Sequence, residues 1–386
     1  MPPTRRLFTP EHEEFRGLVR EFLVREVLPH HARWERDGQV DRDIYTAAAK
    51  RGIVGFNVPA EYGGLGLNDF RYNAVVAEEM SRARVHGPAF TLLNDVIAPY
   101  LLRLTTAEQK QRWLTGLTSG ELTFAIAMSE PGAGSDLSGV RTTARRDGDE
   151  WVVNGQKTFI SNGILSDVVI VVARTDPSPP EQRRHRGISL IAVEDGTPGF
   201  ERGRKLDKLG LPAQDTAELY FTDARVPLTN LLGQEGRGFI HLMENLPSER
   251  LSIAVSSVAS ARRAFDETLE YAKSRTAFGQ PIGTFQANRF TLAEMATELD
   301  IAQVYVDDCI TRLVDGTLSA IDAAKSKWWV TELHKRIVDR CLQLYGGYGF
   351  MLEYPIARDY QNVRVQTIFG GTTEIMKEII GKDLGV

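Results

Sequence analysis

WVVNGQKTFISNG, residues 151–163, marks the region in which the hydrophobic period of this 386-residue chain is two rather than 3.6. β-Branched and aromatic residues stand on both sides of Asn154-Gly155, a pair that favours a two-residue hairpin turn. Apolar runs of strand length follow: DVVIVVART, GISLIAVED and TAELYFTDARVP. These patterns predict a compact β domain over residues 122–235, with a hairpin at Asn154-Gly155 and a Pro-rich surface loop at 176–187.

Helical periodicity precedes and follows this β region. Thr9 and Pro10 stand where a helix cap and a first helical turn are expected, and an apolar stripe follows them. Beyond the β region, Pro247 fits a first helical position, and the stripe after it predicts a helix of roughly 27 residues. Long helical segments with short connections favour an antiparallel bundle. We therefore expect a mainly α chain with a central β domain, divided as follows: an N-terminal helical domain (1–121), a β-sandwich or barrel (122–235) and a C-terminal four-helix bundle (236–386).

The composition argues against several classes of protein. A net charge of −5 provides no basic surface for nucleic acid. Cys309 and Cys341 are the two cysteines, and without a CxxC pair they predict neither a disulfide framework nor a metal site. No run reaches the roughly 18 apolar residues that a membrane span needs, and the N-terminus lacks the apolar core of a signal peptide. We expect a protein of the reducing cytoplasm.

Glycine-rich segments recur outside the expected strands. AMSEPGAGSDLSG (127–139) combines glycines with hydroxyl side chains, but the sequence contains neither a strand–GxGxxG–helix unit nor a P-loop pattern. Arg275 follows the end of a long helix, where it either binds a phosphate group or complements the helix dipole. Gly346-Gly347 ends another helix, and Thr372 is placed to cap the last one.

Two further segments place a carboxylate and a glycine turn about 120 residues apart. NLPSERLSIAV carries Glu249, and VQTIFGGTTEI carries Gly370 and Gly371. An acid in a first helical turn either complements the helix dipole or acts as a base. If the two segments meet in the fold, Glu249 would abstract a proton beside backbone N–H donors of the glycines.

Five segments resemble signatures of the acyl-CoA dehydrogenase family in that family's order: AMSEPGAGSDL, VNGQKTFISNG, SRTAFGQPIGTFQ, LQLYGGYGF and GGTTEI. The resemblance covers nearly the whole chain. It implies an α–β–α domain order, FAD bound between the β domain and the bundle, and a homotetramer whose neighbouring subunits complete each site. It also implies α,β-dehydrogenation of an acyl-CoA thioester to the trans-2-enoyl-CoA. In that reaction a glutamate takes the α-proton, the flavin takes the β-hydrogen as hydride, and an electron-transfer flavoprotein takes the electrons.

The resemblance also assigns residues to the cofactor and the substrate. Those expected to line the isoalloxazine ring are Met128, Ser129, Phe159, Ile160 and Ser161. Those expected to hold the remainder of FAD, the first two from a neighbouring subunit, are Arg275, Gln286, Gln343, Gly346, Gly347, Thr372 and Glu374. Ser135 is expected to contact the bound acyl-CoA.

The chain departs from the commonest family pattern at the catalytic base. Many members carry a glutamate directly before the GT of the last motif, where this chain has Gly370. The long-chain and isovaleryl branches carry it on the long bundle helix instead, and LPSERL resembles the long-chain branch, with Glu249 as the base. Gly370 and Gly371 then contribute backbone to the thioester site, and Arg250 anchors the start of the helix beside the acyl channel. Glu374 is a rival base.

Two other functions remain open at this level. A flavin oxidase would let O2 reach the reduced cofactor, and a non-catalytic acyl-CoA-binding subunit of a hetero-oligomer would not reduce it at all. The sequence leaves open the length and branching of the acyl chain, because the pocket depends on helix packing.

Overall fold

The computed structural model describes residues 5–176, 178 and 186–386, so most of the expected Pro-rich loop lies outside the described residues. The N-terminal region is helical: α1 Pro10–Phe22, α2 Leu28–Asp37, α3 Asp43–Lys50, α4 Phe70–Arg82, α5 Ala98–Leu104 and α6 Ala107–Ser119. Thr9 precedes α1 as predicted, and its backbone N–H donates to His12 Nδ1 at 3.2 Å. Short π-helical segments occupy Leu23–Val27 and Leu92–Ile97. The second of these carries part of the cavity described below.

A mixed sheet follows the N-terminal helices. Its strands are β1 Phe124–Ala127, β2 Thr143–Asp147, β3 Glu150–Ser161, β4 Val168–Arg174, β5 Ile188–Glu194, β6 Phe200–Lys205, β7 Thr216–Pro227 and β8 Leu231–Leu232. Within the described residues the strand order is β6-β7-β3-β2-β4-β5-β8, and β1 pairs with β4 in parallel. The expected central β domain is therefore confirmed.

The predicted hairpin at Asn154-Gly155 is wrong. β3 runs without a break through both residues, and the hairpin turn lies earlier, where Asp147 pairs with Glu150 around Gly148. At Gly155 the pairing with β7 shifts register, which is a β-bulge. The φ of Gly155 is +150°, and a Cβ there would lie 2.4 Å from Thr142 Oγ1. The glycine therefore serves a bulge and a close backbone approach instead of a turn.

β4 joins two hydrophobic cores because it is buried on both faces. Val169 and Val171 pack into the core inside the β region. Ile170 and Val172 point the other way, into the core shared with the N-terminal helices. This continuous apolar strand packs the sheet against the N-terminal helices, among them α5 with Tyr100, a residue of the site described below.

The C-terminal region is again helical: α7 Gly238–Ser274, α8 Gln286–Val314, α9 Ala320–Leu344, α10 Pro355–Val363 and α11 Thr373–Asp383. Two short strands, β9 Thr276–Ala277 and β10 Gln280–Pro281, pair between α7 and α8. The long helices share one core. None of the described helices combines the length and apolar composition needed to cross a membrane.

The predicted start of α7 at Pro247 is wrong, because the helix begins at Gly238 and has Pro247 in its interior. Proline fits the first turn of a helix because a backbone N–H has no partner within the helix at that position. Inside a long helix it removes one backbone hydrogen bond, which the packing of neighbouring side chains compensates here. The nine residues gained before Pro247 include Asn245, which belongs to the site.

Candidate active site

A cavity of about 280 Å³ opens along α7 and is bounded by α4 and the π-helical segment Leu92–Ile97. Glu249 and Gly370 both line it, and Ser161 lies on its β-domain side. The structure thus brings together the two segments that the sequence leaves about 120 residues apart. The predicted meeting of Glu249 with the glycine turn is observed.

The Glu249 carboxylate is buried and hydrogen-bonded on one oxygen. Tyr100 Oη donates to Glu249 Oε1 at 3.1 Å, and Asn245 Nδ2 donates to the same oxygen at 3.2 Å. Burial raises the pKa of Glu249 to about 7, while the hydrogen bonds and the charge of Arg250 act in the opposite direction. Such a group exchanges protons near neutral pH, which suits a general base.

The turn at Gly370-Gly371 is held by two buried cations. Arg250 Nε donates to Gly370 O at 3.4 Å, and Lys327 Nζ donates to Gly371 O at 2.7 Å. Burial lowers the pKa of both side chains, that of Lys327 to about 8. Gly370 has φ +65°, and a Cβ there would lie 2.4 Å from Ile253 Cδ1. The turn therefore lies against the helical turn that follows Glu249.

The segment after β1 is fastened to β3 beside the cavity. Lys157 Nζ donates to Met128 O at 3.1 Å, and Thr158 N–H donates to Ser129 O at 3.0 Å. The Lys157 ammonium is fully buried and bonds the Glu130 carboxylate at 2.8 Å. Burial lowers the pKa of Lys157 to about 8. This pair sets the position of the Met128-Ser129 backbone.

The end of β3 presents one aromatic ring to the outside. Phe159 is 69% exposed and has φ +62°, an uncommon conformation for a side chain of this size. Ile160 points into the β core, so only its backbone is available to a ligand, and Ser161 lines the cavity. An exposed ring held in a strained conformation is more often found at functional sites than elsewhere.

The remaining predicted residues lie outside the cavity. Arg275 follows α7, exposed, with its guanidinium 5.5 Å from the centre of the Tyr348 ring. Further exposed positions are Ser135, Gln286, Gln343, Gly346, Gly347 and Glu374. Thr372 caps α11 as predicted, its Oγ1 accepting from Ile375 N–H at 3.3 Å. Arg275 therefore lies near the Gly346-Gly347 turn that precedes Tyr348, and none of these positions lines the cavity.

Sequence reasoning missed four residues of the site: Tyr100, Asn245, Lys157 and Lys327. Asn245 precedes Glu249 by four residues, a spacing that places both side chains on one helix face, but the helix start assigned to Pro247 concealed it. The other three carry no local signal, because each acts across a long sequence separation.

Comparison with known proteins identifies the family. Family models for the acyl-CoA dehydrogenase N-terminal, middle and C-terminal domains match residues 9–121, 125–224 and 236–385. The long-chain specific acyl-CoA dehydrogenase of Sus scrofa is 46% identical over 380 residues, covering 98% of this chain and 88% of that protein. The crystal structure of an acyl-CoA dehydrogenase from Geobacillus kaustophilus superposes with a TM-score of 0.96 at 47% identity, covering 99% of this chain and 100% of that one.

A third similarity bears on the cofactor. The structure of a glutaryl-CoA dehydrogenase from Mycobacterium smegmatis, in complex with FADH2, superposes with a TM-score of 0.89 at 27% identity and covers 99% of this chain and 96% of that one. Acyl-CoA dehydrogenases are FAD enzymes. This chain belongs to the acyl-CoA dehydrogenase family and is an FAD-dependent oxidoreductase.

Proposed function

We propose that this chain oxidises an acyl-CoA thioester to the trans-2-enoyl-CoA, with Glu249 as the base that takes the α-proton. The observation that carries the proposal is the shared cavity of Glu249 and Gly370. Proton removal next to a thioester needs a base at the α-carbon and hydrogen-bond donors at the carbonyl oxygen. Glu249 and the glycine turn at Gly370 place a base and backbone donors at the same cavity.

Glu249 supplies the base. With a pKa raised to about 7, a large fraction of the carboxyl group is ionised at neutral pH, and the ionised form is more basic than an exposed glutamate. The exposed Glu374 lacks such an environment, and hydrogen bonds from its own backbone N–H and from the Thr372 hydroxyl lower its pKa. We therefore assign the proton transfer to Glu249 rather than to Glu374.

The glycine turn supplies the donor. As the α-proton leaves, negative charge develops on the thioester oxygen, and the Gly370 N–H is the donor we assign to it, with Gly371 beside it. Arg250 and Lys327 bond the carbonyl oxygens of this turn, so they fix its orientation and place positive charge behind it. Neither cation has to touch the substrate to contribute.

The residues beside the cavity fit a flavin. The exposed Phe159 ring provides an apolar face, and the fastened Met128-Ser129 backbone and Ser161 add polar groups next to it. When bound there, FAD would accept the β-hydrogen as hydride. The outlying residues would hold the remainder of FAD, the first two in a neighbouring copy: Arg275, Gln286, Gln343, Gly346, Gly347, Thr372 and Glu374. Ser135 would contact the CoA portion of the substrate.

The cavity favours a long acyl chain. Ser252, Ser256 and Ser260 follow Glu249 along α7 and line it. Glu249 and Ser260 are eleven residues apart, about 16 Å along a helix. Since a C–C bond spans about 1.5 Å, an extended chain of more than ten carbons fits this length. The name of the Sus scrofa relative, which specifies long-chain substrates, agrees with this proposal.

Assembly and partners follow from the same family. Large apolar side chains are exposed on the C-terminal helices and their connections, among them Phe278 (97%), Phe350 (83%), Ile301 and Val304 (61% each). We assign this surface to other copies of the chain in a homotetramer. An electron-transfer flavoprotein would reoxidise the cofactor. We place the enzyme in the cytoplasm, where its buried free cysteines, Cys309 and Cys341, would stay reduced.

Anaerobic titration of the purified holoenzyme with acyl-CoAs of graded length tests the proposal. We expect the flavin absorbance to bleach with saturated thioesters, and most completely with long chains. If no thioester bleaches it, the chain is not a dehydrogenase. Stoichiometric hydrogen peroxide in air, without an added acceptor, would instead identify an oxidase.

A further inference from the structure

The two oxygens of the Glu249 carboxylate differ in their surroundings. Oε1 accepts from both Tyr100 and Asn245. Among the described residues, both hydrogen bonds found to this carboxylate end on Oε1 and none ends on Oε2, and Glu249 lines the cavity. A carboxylate fixed through one oxygen presents the other in a defined direction.

The two donors come from separate parts of the fold. Asn245 lies one helical turn before Glu249 on α7, and its Nδ2 also reaches Val96 O, at 3.5 Å, on the π-helical segment. Tyr100 lies on α5 and is 1% exposed. Because burial and the neighbouring carboxylate hold the Tyr100 pKa well above its usual range, this hydroxyl remains a donor throughout the working pH range.

We infer that Tyr100 and Asn245 are positioning residues, which hold Glu249 by Oε1 so that Oε2 receives the α-proton. This inference rests on the proposed role of Glu249 as the base. It assigns the N-terminal helical region a direct effect on the chemistry, through a tyrosine 149 residues away from the glutamate.

Several titratable groups lie near the carboxylate, and none of them is changed in the test variants. Those on the packed elements are Arg103 on α5, Asp95 on the π-helical segment behind Ser252, Arg250 on α7, Lys327 on α9, and His86 elsewhere in the cavity. Tyr100→Phe leaves these groups in place and removes one donor to the ionised carboxylate. The pKa of Glu249 then rises, because the charged form loses its partner.

The test compares flavin reduction by palmitoyl-CoA as a function of pH in the anaerobic wild-type, Tyr100→Phe and Asn245→Ala holoenzymes. A hydrogen bond to a charged group changes a pKa by about one unit or more. We expect the inflection of the reduction rate to move upward by about that amount in both variants, with much of the rate recovered at high pH. Tyr45→Phe is the control, since Tyr45 is equally buried and its hydroxyl donates to Asn162 Oδ1 and accepts from the Ala89 N–H, without contacting Glu249.

A second measurement separates this inference from the proposed function. Titration of the Glu249 carboxyl by infrared difference spectroscopy, with Glu249→Gln as the blank, needs no turnover. If the wild-type flavin never bleaches but the Glu249 pKa rises in the variants, the proposed function fails and the hydrogen-bond effect stands. Unchanged inflection and unchanged pKa in the variants would overturn the inference. If Tyr100→Phe does not retain FAD, Asn245→Ala decides alone.

Discussion

At the scale of single residues, Glu249 combines two opposing demands. Burial destabilises the ionised carboxylate, and the hydrogen bonds from Tyr100 and Asn245 offset part of that destabilisation. The balance leaves a base near neutrality. Residues tuned in this way commonly reduce the stability of the protein that carries them.

That cost makes a prediction with a defined sign. The pKa of Glu249 is raised in the folded state. At a pH below the ordinary pKa of a glutamate, the folded and unfolded states are both protonated, and the free energy of unfolding is unaffected. As pH rises towards 7, the unfolded state alone ionises freely, and stability falls by up to about 3 kcal/mol. Glu249→Gln should therefore melt close to wild type at pH 5 and clearly above it at pH 8, in calorimetry of the holoenzyme.

Glu108→Gln, at an exposed position in the first turn of α6, is the control and should show no such widening between the two pH values. Equal melting temperatures of Glu249→Gln and wild type at pH 8 would contradict a buried, ionising Glu249.

At the scale of elements, β3 carries both a bulge and a buried ion pair. The bulge at Gly155 lies two residues before Lys157, whose ammonium joins Glu130 and the Met128 carbonyl. Glu130 in turn accepts the backbone N–H groups of Arg141 and Thr142, at 2.7 and 2.9 Å. One buried cation thus connects the strand with the glycine-rich segment beside the cavity.

We expect removal of the Lys157 ammonium to lower the stability of the protein. Lys157→Met leaves the Glu130 carboxylate buried without its counter-charge, and we expect a loss of about 3–5 kcal/mol in the free energy of unfolding, measured by denaturant titration. Arg225→Met is the control, because Arg225 pairs with Asp147 and Glu150 at the surface and should cost at most about 1 kcal/mol. Equal losses in the two variants would contradict the role given to the buried pair.

At the scale of the whole molecule, the isolated chain leaves the cofactor residues in two groups. Ser161 lines the cavity and Phe159 lies two residues before it on β3, while Arg275 and Gln286 stand exposed where α7 ends and α8 begins. A neighbouring copy would bring the second group to the first. The exposed apolar side chains near that end fit the same arrangement.

The assembly prediction is a mass of four times the 43.0 kDa chain in light scattering, together with bound FAD. Phe278→Ser, which removes a 97% exposed ring, should shift the mass downward and release FAD. Glu270→Ser, exposed on α7 and paired only with Lys273 in the described structure, should change neither. A wild-type monomer that keeps FAD would contradict the assembly.

The sequence predicts the mainly α chain with a central β domain because hydrophobic periods are local properties. It places α1 correctly from Thr9 and Pro10, yet it misjudges Asn154-Gly155, since the same pair serves a turn or a bulge. Pro247 misleads in a similar way, because packing outweighs a lost hydrogen bond. The roles of Tyr100 and Lys327 cannot be predicted from local sequence patterns, because only the packing of distant helices brings these residues to Glu249 and Gly371.

The central claim is that Glu249 takes the α-proton, and anaerobic stopped-flow reduction of the flavin by palmitoyl-CoA tests it most directly. Glu249→Gln should keep FAD and bind the thioester, but reduce the flavin roughly 10²–10⁴ times more slowly than wild type. Glu374→Gln removes a group that we assign to FAD binding but not the proton acceptor, so the FAD-loaded variant should reduce the flavin at close to the wild-type rate. Normal reduction in Glu249→Gln together with an inactive Glu374→Gln would contradict the account.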